Sequence, residues 1–138
     1  MEDIVELPEL NNSKLVSYAF DPESKRHVFE FAGGTLFANC LVRVIKDKKL
    51  VCTSRDHGHQ YGLPAPIHFP DWISEFIKNR TIQNAVVKNK VGDLIIKLDV
   101  ATKIELVNDF TGYEPWQILL KTGKEYIAAA GGEIGIFD

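Results

Sequence analysis

A chain of 138 residues, 45% hydrophobic and 25% charged, can bury roughly two thirds of its unfolded surface in one core, which sets it apart from disordered sequences. Its apolar runs are short, as at residues 127–130, against the roughly 20 residues that a membrane-crossing helix needs. The net charge of −3 is unevenly spread: residues 1–42 carry seven acids and three bases, residues 43–103 six and eleven, residues 104–138 six and two. The basic middle lacks the Arg clusters and interleaved aromatics of nucleic-acid binders, so it reads as solvated strand faces, and neither a nucleic acid nor a membrane is expected as partner.

Residues 1–12 place Glu2, Asp3, Glu6 and Glu9 around Pro8, which predicts an extended arm or a short edge strand rather than a helix. Residues 14–20 alternate, predicting a strand with Val16, Tyr18 and Phe20 on one face. A proline turn at residues 21–25 leads into residues 27–31, with Phe29 and Phe31 inward. After Gly33 and Gly34, residues 35–39 and 40–46 continue the meander, and residues 49–53 close it. Residues 54–70 form a long loop with three prolines, two glycines and three of the four histidines. Such loops are uncommon inside compact domains and are often functional. Trp72, Ile73, Phe76 and Ile77 then fall at helical spacing, predicting one short amphipathic helix over residues 71–79. The remaining predicted strands are 82–87, 94–99, 102–107, 114–120, 124–130 and 133–137, with a wider loop at 108–112.

The second set of strands repeats the first. At an offset of 67 residues Leu15 falls on Ile82, Phe20 on Val87, Phe29 on Ile96 and Phe31 on Leu98; at 68, Leu36 falls on Ile104 and Ala38 on Leu106; at 76, Leu50 meets Tyr126 and Val51 meets Ile127. Few identities are shared; what recurs is the order of alternation and turns, the pattern that specifies strands and their buried faces. The expected fold is therefore α+β and mostly antiparallel β, a single domain whose two related meanders, residues 12–53 and 79–137, arise by internal duplication and are joined by a linker and helix at 54–78.

In the long loop, Asp56, His57 and His59 are acceptable metal ligands, with His68 and Cys52 nearby, and zinc is the metal such a set would suit. The structural reading of the same residues is that Asp56 and His57 bond to loop backbone while Tyr61, Leu63 and Ile67 pin the loop to the body. An acid–base site would have to join Asp56 or His59 to Glu114 or Glu133. Ser54, Cys40 and Cys52 lack the strained-turn context of a nucleophile, and the two cysteines read as buried free thiols. Gly33-Gly34 and Gly131-Gly132 lie between strands and read as turns rather than phosphate loops. Trp72 and Trp116 are expected in the core, with Tyr113 covering Trp116; surface aromatics would instead mark a protein contact.

Tyr113, Glu114 and Trp116, followed by Gly131, Gly132 and Glu133 and the strand to Phe137, resemble the end of a family of small bacterial β-rich proteins with a Tyr-Glu-x-Trp motif and a terminal Gly-Gly-Glu strand. The resemblance covers the last third of the chain. The family's usual Gly-Pro-Asp-Gly hairpin is here Lys121-Thr122-Gly123-Lys124. Some similar domains, encoded beside bacterial toxins, are taken to be immunity proteins, which implies a non-enzymatic protein-binding module; the acidic opening, with no basic-then-apolar signal pattern after Met1, makes a cytoplasmic location the expectation. Glu2, Asp3, Glu6 and Glu9, with Tyr61, are the expected contacts to a basic toxin, since opposite potentials accelerate encounter. Exposed strand edges would permit a homodimer. The alternative is a small-ligand or metal-binding protein or enzyme that uses the loop at 54–70.

Overall fold

Residues 3–138 are described by a computed structural model; Met1 and Glu2 lie outside the described residues, and with Glu2 one of the expected partner contacts. Short alternating segments separated by turn residues form twelve strands: β1 (Ile4–Glu6), β2 (Leu15–Asp21), β3 (Arg26–Phe31), β4 (Gly34–Ala38), β5 (Leu41–Lys46), β6 (Lys49–Thr53), β7 (Asn84–Lys88), β8 (Asp93–Lys97), β9 (Thr102–Val107), β10 (Trp116–Leu120), β11 (Glu125–Ala128) and β12 (Ile134–Phe137). The one α-helix among the described residues, α1 (Phe69–Ile77), lies between β6 and β7. All strand pairs are antiparallel, and they make two six-stranded sheets, ordered β1-β7-β8-β9-β5-β6 and β12-β11-β10-β4-β3-β2. The fold is thus α+β and mostly antiparallel β. No helix among the described residues is long and apolar enough to cross a membrane.

The two halves have the same strand order but are interlocked. Each half places a three-strand meander in one sheet, β2-β3-β4 or β7-β8-β9, and then crosses to the other sheet as a hairpin, β5-β6 or β10-β11. The hairpin of each half pairs with the last meander strand of the other, β10 with β4 and β5 with β9. The pairing register follows the expected offsets: Phe29 opposite Leu36 corresponds to Ile96 opposite Ile104, and Tyr18 opposite Phe29 to Ala85 opposite Ile96. Where the halves meet, an isolated bridge joins Lys14 to Thr81. The Leu15 amide donates to the Arg80 carbonyl at 2.9 Å and the Ile82 amide to the Ser13 carbonyl at 2.7 Å. Leu15 and Ile82 are 67 residues apart, and so are Ser13 and Arg80, so the two bonds exchange as a two-fold would require.

Three details differ from the sequence expectation. Residues 35–46 are not one continuous meander, because the chain changes sheet between β4 and β5 at Asn39 and Cys40. The hairpins correspond at an offset of 74, not 76: Val44 opposite Cys52 matches Ile118 opposite Tyr126. Tyr126 and Cys52 are both buried, whereas Leu50 is 60% exposed on the edge strand β6. Val16 does not share a face with Tyr18, because an irregularity between Leu15 and Ser17 shifts the register and turns Val16 to solvent; a bulge adds a residue and so breaks the period of two.

One buried cluster draws on both sheets, on Leu7 and Leu10 of the N-terminal arm, and on the helix. The arm forms edge strand β1, then a short helical turn at Pro8–Leu10 that sinks both leucines. Helix α1 packs on β2 and buries Phe69, Ile73 and Ile77, which are four residues apart and so lie on one stripe. Trp72, expected in the core, and Phe76 flank that stripe half-buried and stacked on one another at 5.2 Å, with the Arg80 guanidinium 4.3 Å from the Phe76 ring.

Candidate functional site

The histidine loop is organised by local bonds. Asp56 accepts from the Thr53 amide at 2.9 Å and from the Tyr61 hydroxyl at 3.0 Å. The Thr53 amide and then the Tyr61 hydroxyl outweigh the opposing effect of burial and hold the Asp56 carboxyl below its ordinary range. His57 Nδ1 accepts from the Phe69 amide at 3.1 Å, its ring lies 5.1 Å from that of His68, and His59 stacks on Tyr61 at 5.4 Å. Gly58 donates to Ile67, and Ile67 to His59. Among the described residues no group of three or more His, Cys, Asp or Glu is placed to hold a metal ion. Nor does any hydrogen bond or ion pair join Asp56 or His59 to Glu114 or Glu133. Tyr61 and Leu63 do not pin the loop inward, being 66% and 47% exposed. Cys40 and Cys52 are free and buried, and burial pushes their thiols up to about 12 and about 11, far from the range of a reactive thiolate.

The expected acidic contacts disperse. Glu9 accepts from Lys124 Nζ and from the Tyr126 hydroxyl, both at 2.6 Å, and is committed to tying the arm to β11. Glu6 is exposed on β1. Asp3 lies at the far end of that strand, where its carbonyl accepts from the Asn89 amide at 2.8 Å and its carboxylate from the Asn89 side chain at 3.2 Å.

Beside Asn89 three turns pack into a platform. Asn108 donates from its side chain to the Val91 carbonyl at 3.0 Å, its amide donates to Asp93 at 2.8 Å, and its side-chain oxygen accepts from the Phe110 amide at 3.2 Å. Asn89 accepts from the Ile134 amide at 3.0 Å, which ties in the Gly131-Gly132 turn. A methyl group on Gly132, where φ is +96°, would lie 2.6 Å from the Val91 carbonyl carbon, so that turn docks closely on residues 90–92. Beneath, Trp116 is 1% exposed and donates from Nε1 to the Gly92 carbonyl at 2.8 Å.

On this support Val91, Phe110 and Tyr113 stand 55%, 57% and 69% exposed, and the Phe110 and Tyr113 rings meet edge to face at 5.7 Å. Tyr113 therefore does not cover Trp116; it turns outward to Phe110, while the backbone turns bury the indole. Asp3, Asp93, Asp109 and Glu133 belong to or adjoin these turns, with Lys88 and Lys90 the neighbouring cations. Placement of residues 108–113 in a wide loop was readable from the sequence. Their solvent-facing orientation was not, because it depends on Asn108 bonding across to another hairpin.

A second polar feature escaped the sequence reading. The Tyr18 hydroxyl and His27 Nδ1 are 2.7 Å apart on the buried face of the paired strands β2 and β3. The signal was present: His27 lies two residues before Phe29 and four before Phe31, on the same face of β3. Burial lowers the His27 imidazole to about 4 from an ordinary 6.5. The unfolded chain then binds a proton that the folded one refuses, so stability is full above about pH 6.5 and is lost as the pH falls toward 4. A drop of roughly 2 kcal/mol between pH 7 and pH 5 is expected. Denaturant curves at the two pH values, with wild type and His27→Gln, measure it: the drop should shrink in the variant, and an equal drop in both would assign it to other groups.

Compared with protein-family models, with curated proteins and with solved structures, the chain matches none.

Proposed function

We propose that this chain is a non-enzymatic protein-binding module of the bacterial immunity type, which neutralises a basic toxin by covering its surface, and that the three-turn platform is the contact. The carrying observation is the exposed pair Phe110 and Tyr113, with Val91 beside it, on turns that are hydrogen-bonded to one another and anchored by Trp116. Aromatic side chains dominate binding hot spots, and a surface held in place before contact loses little entropy on association. The carboxylates of Asp3, Asp109 and Glu133 favour a cationic partner and steer its approach. Of the acidic arm, Asp3 serves this surface, whereas Glu9 is engaged internally.

The test is capture from lysate of the source organism followed by association kinetics with the recovered protein. A single stoichiometric, basic chain is expected, whose on-rate falls with added salt and falls again in the Asp3→Lys, Asp109→Lys variant. An acidic partner, or on-rates indifferent to both salt and charge reversal, would contradict the reading.

A further inference from the structure

A cavity of about 190 Å³ lies where β2 and β3 meet the start of the long loop and the first turn of α1. Tyr18, Phe20 and Phe69 supply most of its wall, and His27, Ser54 and His57 supply the polar groups. A cavity of roughly 150 Å³ with apolar walls suffices for a benzene-sized molecule, so this one has room for a single ring bearing a small substituent.

The hydrogen-bond state of the lining selects the substituent. If His27 Nδ1 carried the proton and donated to Tyr18, the phenolic proton of Tyr18 would have no acceptor in a buried site. The arrangement that satisfies both groups has Tyr18 donating to Nδ1 at 2.7 Å, which leaves the imidazole proton on Nε2. No protein group accepts from that Nε2. His57 repeats the pattern, since its Nδ1 accepts from the Phe69 amide at 3.1 Å, and the Ser54 hydroxyl oxygen accepts from the Val42 amide at 3.1 Å. Each of the three has an acceptor site in use and a proton left to give. No Lys or Arg lines the cavity, so an anion there would have no counter-charge beside it.

We propose that this cavity binds a small neutral aromatic ketone or aldehyde, its ring against Phe20 and Phe69 and its carbonyl oxygen accepting from His27 Nε2–H. The site is separate from the platform and does not depend on the protein-binding reading.

The experiment is an NMR titration of the full chain with acetophenone, with α-methylstyrene, which replaces the carbonyl oxygen by CH₂, and with benzoate. Saturable shifts at the Val42 and Phe69 amides are expected with acetophenone, with α-methylstyrene and benzoate each binding about tenfold or more weakly. The ¹⁵N shifts of the free protein should place the His27 proton on Nε2. In Tyr18→Phe the imidazole is free to take either tautomer, and the preference for the ketone over its hydrocarbon counterpart should shrink several-fold. Equal binding of ketone and hydrocarbon would reduce the site to an apolar void, and tighter binding of benzoate would make it an anion site. No saturable shift at these amides, or a proton on Nδ1, would overturn the proposal outright; the wild-type titrations and the ¹⁵N spectrum decide it even if Tyr18→Phe does not fold.

Discussion

Replacing Trp116 by alanine is expected to lower the unfolding free energy by roughly 3–5 kcal/mol, the usual cost of truncating a large buried aromatic. The indole is 1% exposed and stands on β10 opposite Ala38 of β4, whose small side chain leaves the space that the ring fills. Truncation would open a cavity at the junction of the two halves and leave the Gly92 carbonyl without the Nε1 proton that reaches it at 2.8 Å. Trp116→Phe separates the two effects: most of the burial is kept, and the loss should fall to roughly 1–3 kcal/mol, with an unpaired buried carbonyl included. Denaturant midpoints measure both. An alanine variant within about 1 kcal/mol of wild type would mean that the indole is not the prop beneath the platform.

Gly34→Ala is expected to cost roughly 3 kcal/mol or more, at the upper end for an inserted methyl, because backbone atoms stand in its way. Gly34 is sandwiched in the ladder between Phe31 of β3 and Leu120 of β10. An added Cβ would overlap the Leu119 carbonyl oxygen and lie 3.0 Å from the Leu120 Cα. Neither neighbour can swing aside as a side chain would, so β10 would have to move away from β4 along the seam that locks the halves together. Chemical denaturation again reads the effect, and a change within about 0.5 kcal/mol would show that the seam yields easily.

The meander strands were readable from sequence because alternation survives where identity does not: Leu15 and Ile82, Phe29 and Ile96, and Leu36 and Ile104 are all buried, and Phe29 opposite Leu36 matches Ile96 opposite Ile104. The hairpins were harder. At the matched seam positions one half pairs Trp116 with Ala38 and the other Val42 with Leu106, so volume has been exchanged between partners and neither position resembles its counterpart. Leu50 attracted the register because it is apolar, yet it projects from an edge strand, and a shift between Val44 and Ile45 offsets that hairpin further. The crossing between sheets at Asn39 and Cys40 has only Asn39 as a turn residue, with no Gly or Pro, and depends on tertiary pairing of β5 with β9. The histidine loop drew notice for its composition, but Asp56 and His57 spend their acceptor atoms on bonds that organise the loop. The exposed aromatics at residues 110 and 113, by contrast, read in the sequence as a loop and a cover for Trp116.

The most direct test of the platform is calorimetric titration of the captured partner against wild type and the Phe110→Ala, Tyr113→Ala double variant, both checked for unchanged unfolding midpoints. Two hot-spot truncations should weaken binding by roughly 100-fold or more. An affinity within about threefold of wild type, a change of well under 1 kcal/mol, would place the contact elsewhere on the molecule and contradict the account.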